Sequence, residues 1–219
     1  MRKIINFINF SFIKRFFVVL ILFCLFVFIS ALSYVDAVSE DLSNSVFRLH
    51  VIANSDSKED QDLKYKVRDA VLEYMNSISA NCTSKDEVIT LAYDYQDEFK
   101  EIAKKVIKEN GYNYDVNISI GNFEFPTKHY GDISLPAGTY DALRIEIGEA
   151  QGQNWWCVMF PPLCFIDVTS GVVPDESKQI MKDNLNDEEY SLISDTESKD
   201  ITFKFSLIEF FQGLNLAKN

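Results

Sequence analysis

This 219-residue chain has two histidines, so acid–base or metal chemistry based on imidazole must begin at His50 or His129. His129 with Asp132, three residues on, offers a two-ligand start on a metal site, although such a pair in a loop more commonly makes a surface hydrogen bond. His50 stands near the end of a predicted strand, with Asp56 and Asp60 just beyond it. A base could face a carboxylate there, but a histidine satisfied beside a helix N-terminus is the commoner arrangement. Of the four cysteines, Cys24 lies in an apolar run and Cys82 sits in a polar Asn-Cys-Thr setting with no histidine nearby in sequence to activate it. No GxSxG, HExxH, P-loop or GxGxxG pattern occurs. The expectation is a protein without catalytic residues, metal or cofactor.

The costly residue types gather elsewhere. Trp155 and Trp156, the only tryptophans, fall with Cys157, Cys164 and the Pro161-Pro162 pair inside Asn154–Phe165. Two core strands would use the tryptophans for buried area, and a partner-binding platform would use them as rigid anchors. Cys157 and Cys164 are seven apart across the prolines. If the prolines form a two-residue hairpin tip, position 159 faces 164 and Cys157 lies one diagonal away. A disulfide is then conceivable, but diagonal pairs usually lie farther apart than a bridge allows, and two small buried thiols are the alternative.

The elements that must position these residues emerge from periodicity. Val46–Ala53 alternates as a strand, and Asn54-Ser55-Asp56-Ser57 ends it and starts a helix running to about Met75, capped by either Asp56 with Glu59 or Ser57 with Asp60. Leu63, Val67, Ala70, Val71 and Tyr74 form the apolar stripe of that helix, with Lys64, Lys66, Arg68, Asp69 and Glu73 on its other faces. Ser84-Lys85-Asp86-Glu87 is a capping box that opens a second helix, and Gly111 stops it. Strands come next at 116–120, 140–147 and 154–160. Phe123–Gly138 reads as irregular. Residues 166–200 are acidic with few apolar anchors and read as a mobile segment, with a short strand at Ile201–Phe205 and a helix at Leu207–Leu214 after it. The predicted fold is α+β: a single domain of two helices packed on a mostly antiparallel sheet, preceded by an N-terminal signal or anchor helix.

That N-terminal helix is an apolar run, Phe16–Ile29 extended to Leu32, preceded by Arg2, Lys3, Lys14 and Arg15. About seventeen residues reach only about 25 Å as a helix, the short limit for spanning a bilayer. Residues 1–37 therefore read as a signal peptide or an uncleaved anchor, with the charge asymmetry sending residues 38–219 across the membrane. Four basic residues and Asp36 give the leader a net +3, so with the chain at −12 overall, residues 38–219 carry −15. Such a domain is repelled by nucleic acid and anionic lipid headgroups, so a charged partner should present a basic face.

Arg48-Leu49-His50-Val51-Ile52-Ala53-Asn54-Ser55-Asp56-Ser57, Glu59-Asp60-Gln61, Leu63-Lys64, Val67-Arg68-Asp69, Leu135–Arg144, Gly148 and Asn154–Phe165 together carry a resemblance. From about Val46 to Asp167 the chain resembles stage II sporulation protein R of endospore-forming bacteria. The resemblance implies a protein made in the forespore and exported into the space between forespore and mother-cell membranes. There it would switch on a membrane-embedded aspartic-type peptidase that processes pro-sigma-E. The family supplies no catalytic residues to carry over.

Two surfaces are candidates for partner binding. Arg48, His50, Asn54, Ser55, Asp56 and Asp60 cluster at the strand-to-helix corner, where the alternative is an elaborate cap. Trp155, Trp156, Pro161 and Pro162 form the second. The rival readings are an extracytoplasmic hydrolase using His50 or His129 with nearby carboxylates, and a tethered structural protein bridging two membranes.

Overall fold

The computed structural model describes residues 2–164 and 173–194 and divides the chain into two compact units, Met1–Ser39 and Glu40–Asn219. In the first, helix α1 (Arg2–Ser45) begins. It includes Phe12–Ser30, with mean hydropathy 2.7, the one helix among the described residues long and apolar enough to cross a membrane. Its last turn belongs to the second unit, where Leu42 is buried.

The second unit is α+β. Strands β1 (Phe47–Ile52), β2 (Val116–Phe125), β5 (Gly138–Ile147) and β6 (Asn154–Phe160) form a sheet in the order β2-β5-β1-β6. The pairs β2–β5 and β1–β6 are antiparallel, and β1 runs parallel to β5. A parallel pair needs a long crossover, and three helices supply it: α2 (Lys58–Ser79), α3 (Lys85–Asp94) and α4 (Gln96–Glu109). They cover the sheet face carrying Leu49, Val51, Leu143 and Ile145, all fully buried, against Leu63, Val67, Val71, Phe99 and Ala103.

Three features differ from expectation. The predicted second helix is two, because at Tyr95 (φ −109°, ψ 21°) the chain leaves helical geometry. Tyr95 packs on Tyr74 of α2, while Gln96 Nε2 donates to the Ile118 carbonyl on the outer edge of β2. Tertiary contacts on either side of the joint hold the bend. Second, the segment read as irregular continues β2 through Phe125 and then forms a hairpin, β3 (Lys128–Tyr130) with β4 (Ile133–Leu135). Third, the acidic segment contains helices α5 (Asp175–Asn184) and α6 (Asp187–Ser194). Val173, Met181, Leu185 and Ile193 are buried, so a few apolar anchors suffice to seat both helices. The predicted final strand and helix, Ile201–Phe205 and Leu207–Leu214, lie outside the described residues.

Candidate partner-binding face

The strand-to-helix corner is occupied by its own hydrogen bonds. Asp60 accepts from Asn54 Nδ2 (2.8 Å) and Ser55 Oγ (2.5 Å), and Ser57 caps α2 through the Asp60 amide. Burial pushes the Asp60 carboxyl up, but the hydrogen bonds from Ser55 and Asn54 help to outweigh it, and the group sits below its ordinary range. Asn54 Oδ1 accepts from the Glu149 amide (3.0 Å), and Asp56 Oδ1 from the Gln153 amide (2.7 Å). The corner thus braces the β5–β6 loop. Lys64, predicted on a polar face, is buried and joins this brace by donating to Gln61 Oε1 (2.6 Å) and the Gln153 carbonyl (3.0 Å). Asn54, Ser55, Asp56 and Asp60 thus all hydrogen-bond within the corner, with Asp56 itself exposed.

His50 does not face Asp56 or Asp60 as the hydrolase reading expects. It points to the sheet face opposite the three helices, with its Nε2 2.7 Å from Asn154 Oδ1 and its ring stacked on Trp156 at 3.7 Å between centroids. Strand alternation puts His50 on the face of Arg48, away from the corner at the strand's end. Burial pushes the imidazole down from 6.5 to about 4; the Asn154 hydrogen bond opposes that shift, and the guanidinium of Arg144 adds to it. His50 is a neutral ring at ordinary pH.

His129 and Asp132 also separate. In the β3–β4 hairpin His129 Nδ1 lies 2.6 Å from Ser134 Oγ. Asp132, at the hairpin tip, accepts from the Val173 amide (2.9 Å) and pairs with Lys178 of α5 (2.6 Å). Among the described residues, no group of three metal-ligating side chains forms.

Arg48 is the unexpected residue. It is fully buried, and its guanidinium lies 4.0 Å from the ring centroid of Phe125 and 4.6 Å from that of Tyr140. Nη2 donates to the Tyr130 hydroxyl (2.8 Å), while Nε and Nη1 have no hydrogen-bond partner among the described residues. The β3–β4 hairpin brings Tyr130 onto this end of the sheet face. Farther along, Arg144 and Phe123 are half-buried. Arg144 pairs with Glu146 (2.7 Å), and its guanidinium lies 5.4 Å from the Phe123 ring. Sequence reasoning missed Phe125, Tyr130, Tyr140 and Arg144 as neighbours of Arg48 and His50. Tyr140 and Arg144 lie in a predicted strand and Phe125 and Tyr130 in the segment read as irregular, and it is strand order that places β5 beside β1 and β2 beyond it.

The tryptophans divide between the faces, and each is half-buried. Trp156 covers His50 and meets Phe125 edge-on at 4.7 Å. Trp155 turns to the helix side, with Tyr65 at 5.4 Å and the Arg68 guanidinium 4.3 Å from its ring. Neither is wholly core. Cys157 and Cys164 form a disulfide with a Cα–Cα separation of 5.1 Å. Pro161 is buried and Pro162 exposed in the turn that closes this loop.

A family model described as stage II sporulation protein R matches residues 43–170. The protein named stage II sporulation protein R of Bacillus subtilis (strain 168) is 39% identical over 143 residues, which is 64% of each chain. The chain therefore aligns with less than two-thirds of the curated relative's length. No solved structure matches it. The match begins just before β1 and covers the sheet, the crossover helices and the Trp-rich loop, and on that extent the chain belongs to the stage II sporulation protein R family.

Proposed function

We propose that this protein is an exported signal of endospore formation, made in the forespore and acting in the space between forespore and mother-cell membranes. Its target in this reading is a membrane-embedded aspartic-type peptidase that processes pro-sigma-E. The observation that carries the reading is the joining of a sporulation-family domain, matched over residues 43–170, to an apolar helix at Phe12–Ser30 with basic residues ahead of it. Helix and flanking charge suit export or anchoring of the domain on their C-terminal side.

The Trp-rich strand is the contact surface this reading favours. Asn54, Ser55, Asp56 and Asp60 all hydrogen-bond within the fold, whereas Trp155, Trp156 and Pro162 present apolar surface that the fold does not fully bury. An anchor residue works by entering a partner's pocket, which requires an exposed ring on a fixed support. Trp155 meets that requirement on an edge strand, held by Arg68, and Trp156 offers a second half-buried ring from the same strand.

The test is co-expression of the full chain with the sporulation peptidase and pro-sigma-E in a non-sporulating host, alongside residues 38–219 exported by a standard signal sequence. Pro-sigma-E cleavage that depends on this protein supports the signalling reading. Dependence on the tethered form alone turns the role toward bridging of membranes. Absence of cleavage with both forms folded and exported rejects ligand activation. Turnover of a substrate by the purified protein, lost on His50→Ala without unfolding, would revive the hydrolase reading.

A further inference from the structure

A buried guanidinium ordinarily has a carboxylate or several carbonyl oxygens around it, because its charge is costly to bury alone. Arg48 has neither. The chain carries 33 acidic residues, yet Arg48 makes no ion pair among the described residues, and the hydroxyls it meets belong to the neutral phenols Tyr130 and Tyr140. Phe125 and Tyr140 lie against its flat faces and stabilise the charge, but aromatic rings offer no lone pair to in-plane N–H groups. Nε and Nη1 are left over. Arg144, register partner of His50 on the neighbouring strand, is a second guanidinium on this face and also has a buried Nε without a partner. The face also carries Glu146, which pairs with Arg144 through Nη2 at 2.7 Å and leaves Nε unused, and Phe123 and Trp156 stand half-exposed beside these donors.

We infer that this sheet face is a binding site for a carboxylate carried by a peptide, with Arg48 and Arg144 taking the carboxylate and Phe123 and Trp156 taking its apolar flank. Guanidinium N–H groups match carboxylate oxygens in geometry and charge, and a water-poor, ring-lined setting strengthens the pairing. Trp156 is the movable part. Its indole stacks on His50 at the surface, so a rotamer change opens the way inward without disturbing the strand ladder. The His50 Nδ1 beneath it has no partner and supplies a lone pair for a peptide N–H when Nε2 holds the proton. This recognition belongs to the domain's own chemistry, whichever protein is the partner.

The test needs no knowledge of the natural ligand. Five arginines occur in the chain, and only Arg48, Arg68 and Arg144 lie beyond the N-terminal helix, so side-chain Nε–Hε signals of 15N-arginine-labelled full-length protein in detergent micelles are readily assigned. The probes are N-acetylphenylalanine, its neutral amide, and acetate, each raised to about 20 mM at constant ionic strength, a range that captures the millimolar binding expected of so small a ligand. The expected result is a saturable shift of the Arg48 and Arg144 signals with N-acetylphenylalanine, none with the amide, a weaker response to acetate, and an unmoved Arg68. Arg144→Gln, at the half-exposed end of the face, should weaken the response of Arg48 about fivefold or more, in keeping with loss of one charge-assisted contact. An Arg48 signal indifferent to N-acetylphenylalanine overturns the inference, and so does an equal shift with the amide. Equal affinity for acetate and N-acetylphenylalanine would mark a small-anion site and overturn the peptide assignment.

Discussion

Arg48 and His50 are neighbours on one strand face, and each carries polar atoms that the fold leaves without partners. The two need different tests. Replacing a buried charge by an apolar side chain of similar volume is often neutral or stabilising, whereas truncation leaves a void. Arg48→Met should therefore keep the unfolding free energy from urea titration within about 1 kcal/mol of the parent or raise it, and Arg48→Ala should lose about 3 kcal/mol. Equal large losses in both would mean that the charge itself holds the domain together. His50 predicts a pH dependence. Its folded pKa, about 4, is below the ordinary 6.5, so between these values the unfolded chain binds the proton that the native ring refuses. Stability is full above 6.5 and falls as the pH drops toward about 4, by up to about 3 kcal/mol from this one group. Thermal midpoints measured from neutral pH down to pH 5 or so should fall less for His50→Gln than for the parent. Identical slopes would remove His50 from the account.

At the scale of elements, the β5–β6 loop is locked by the corner it crosses. A Cβ built on Gly152 would lie 2.2 Å from the Ser55 carbonyl oxygen, and backbone cannot step aside as a flexible side chain can. Gly152→Ala should cost about 2 kcal/mol by forcing the loop off the corner. Gly121 on β2 has open space around its missing Cβ, so Gly121→Ala should be neutral or gain up to about 1 kcal/mol by restricting the unfolded chain. Chemical denaturation of the two variants separates the cases; matching effects would show that steric contact at the corner is not what fixes the loop. The helices give the reverse lesson. Ser84 caps α3 as its spacing predicts and Ser57, one of two candidates with Asp56, caps α2, with Ser84 Oγ accepting from the Glu87 amide and Glu87 accepting from the Thr83 amide (2.8 Å). Capping is legible because donor and acceptor sit within four residues. The bend at Tyr95 is not, since its contacts come from Tyr74 and, through Gln96, from Ile118.

For the whole molecule, charge and hydropathy pull in opposite directions. Residues 38–219 carry −15, so electrostatics repels this part from anionic lipid, while Phe12–Ser30 favours the hydrocarbon. Membrane attachment of the full chain should accordingly survive about 1 M salt, where charges are screened beyond roughly 3 Å. A protease site introduced between residues 37 and 46 should release everything after it from the membrane fraction. Release by salt alone would show that the apolar helix is not the anchor.

Several properties are written into the chain without reference to its fold: the leader, the acidic domain, the α+β class, the two caps, and the family resemblance that the match over residues 43–170 shows. Each rests on composition or on residues close together in the chain, where propensity, charge and hydrogen-bonding reach operate locally. Which polar residues are spent and which are spare depends instead on tertiary packing. Asp56 and Asp60 look available in the sequence but bind the loop and the cap, while Arg48 looks like an ordinary strand residue and is a buried cation among rings from β2, β3 and β5. Those rings are more than seventy-five residues away in sequence, and strand order, set by burying the apolar face under three helices, is what brings them together.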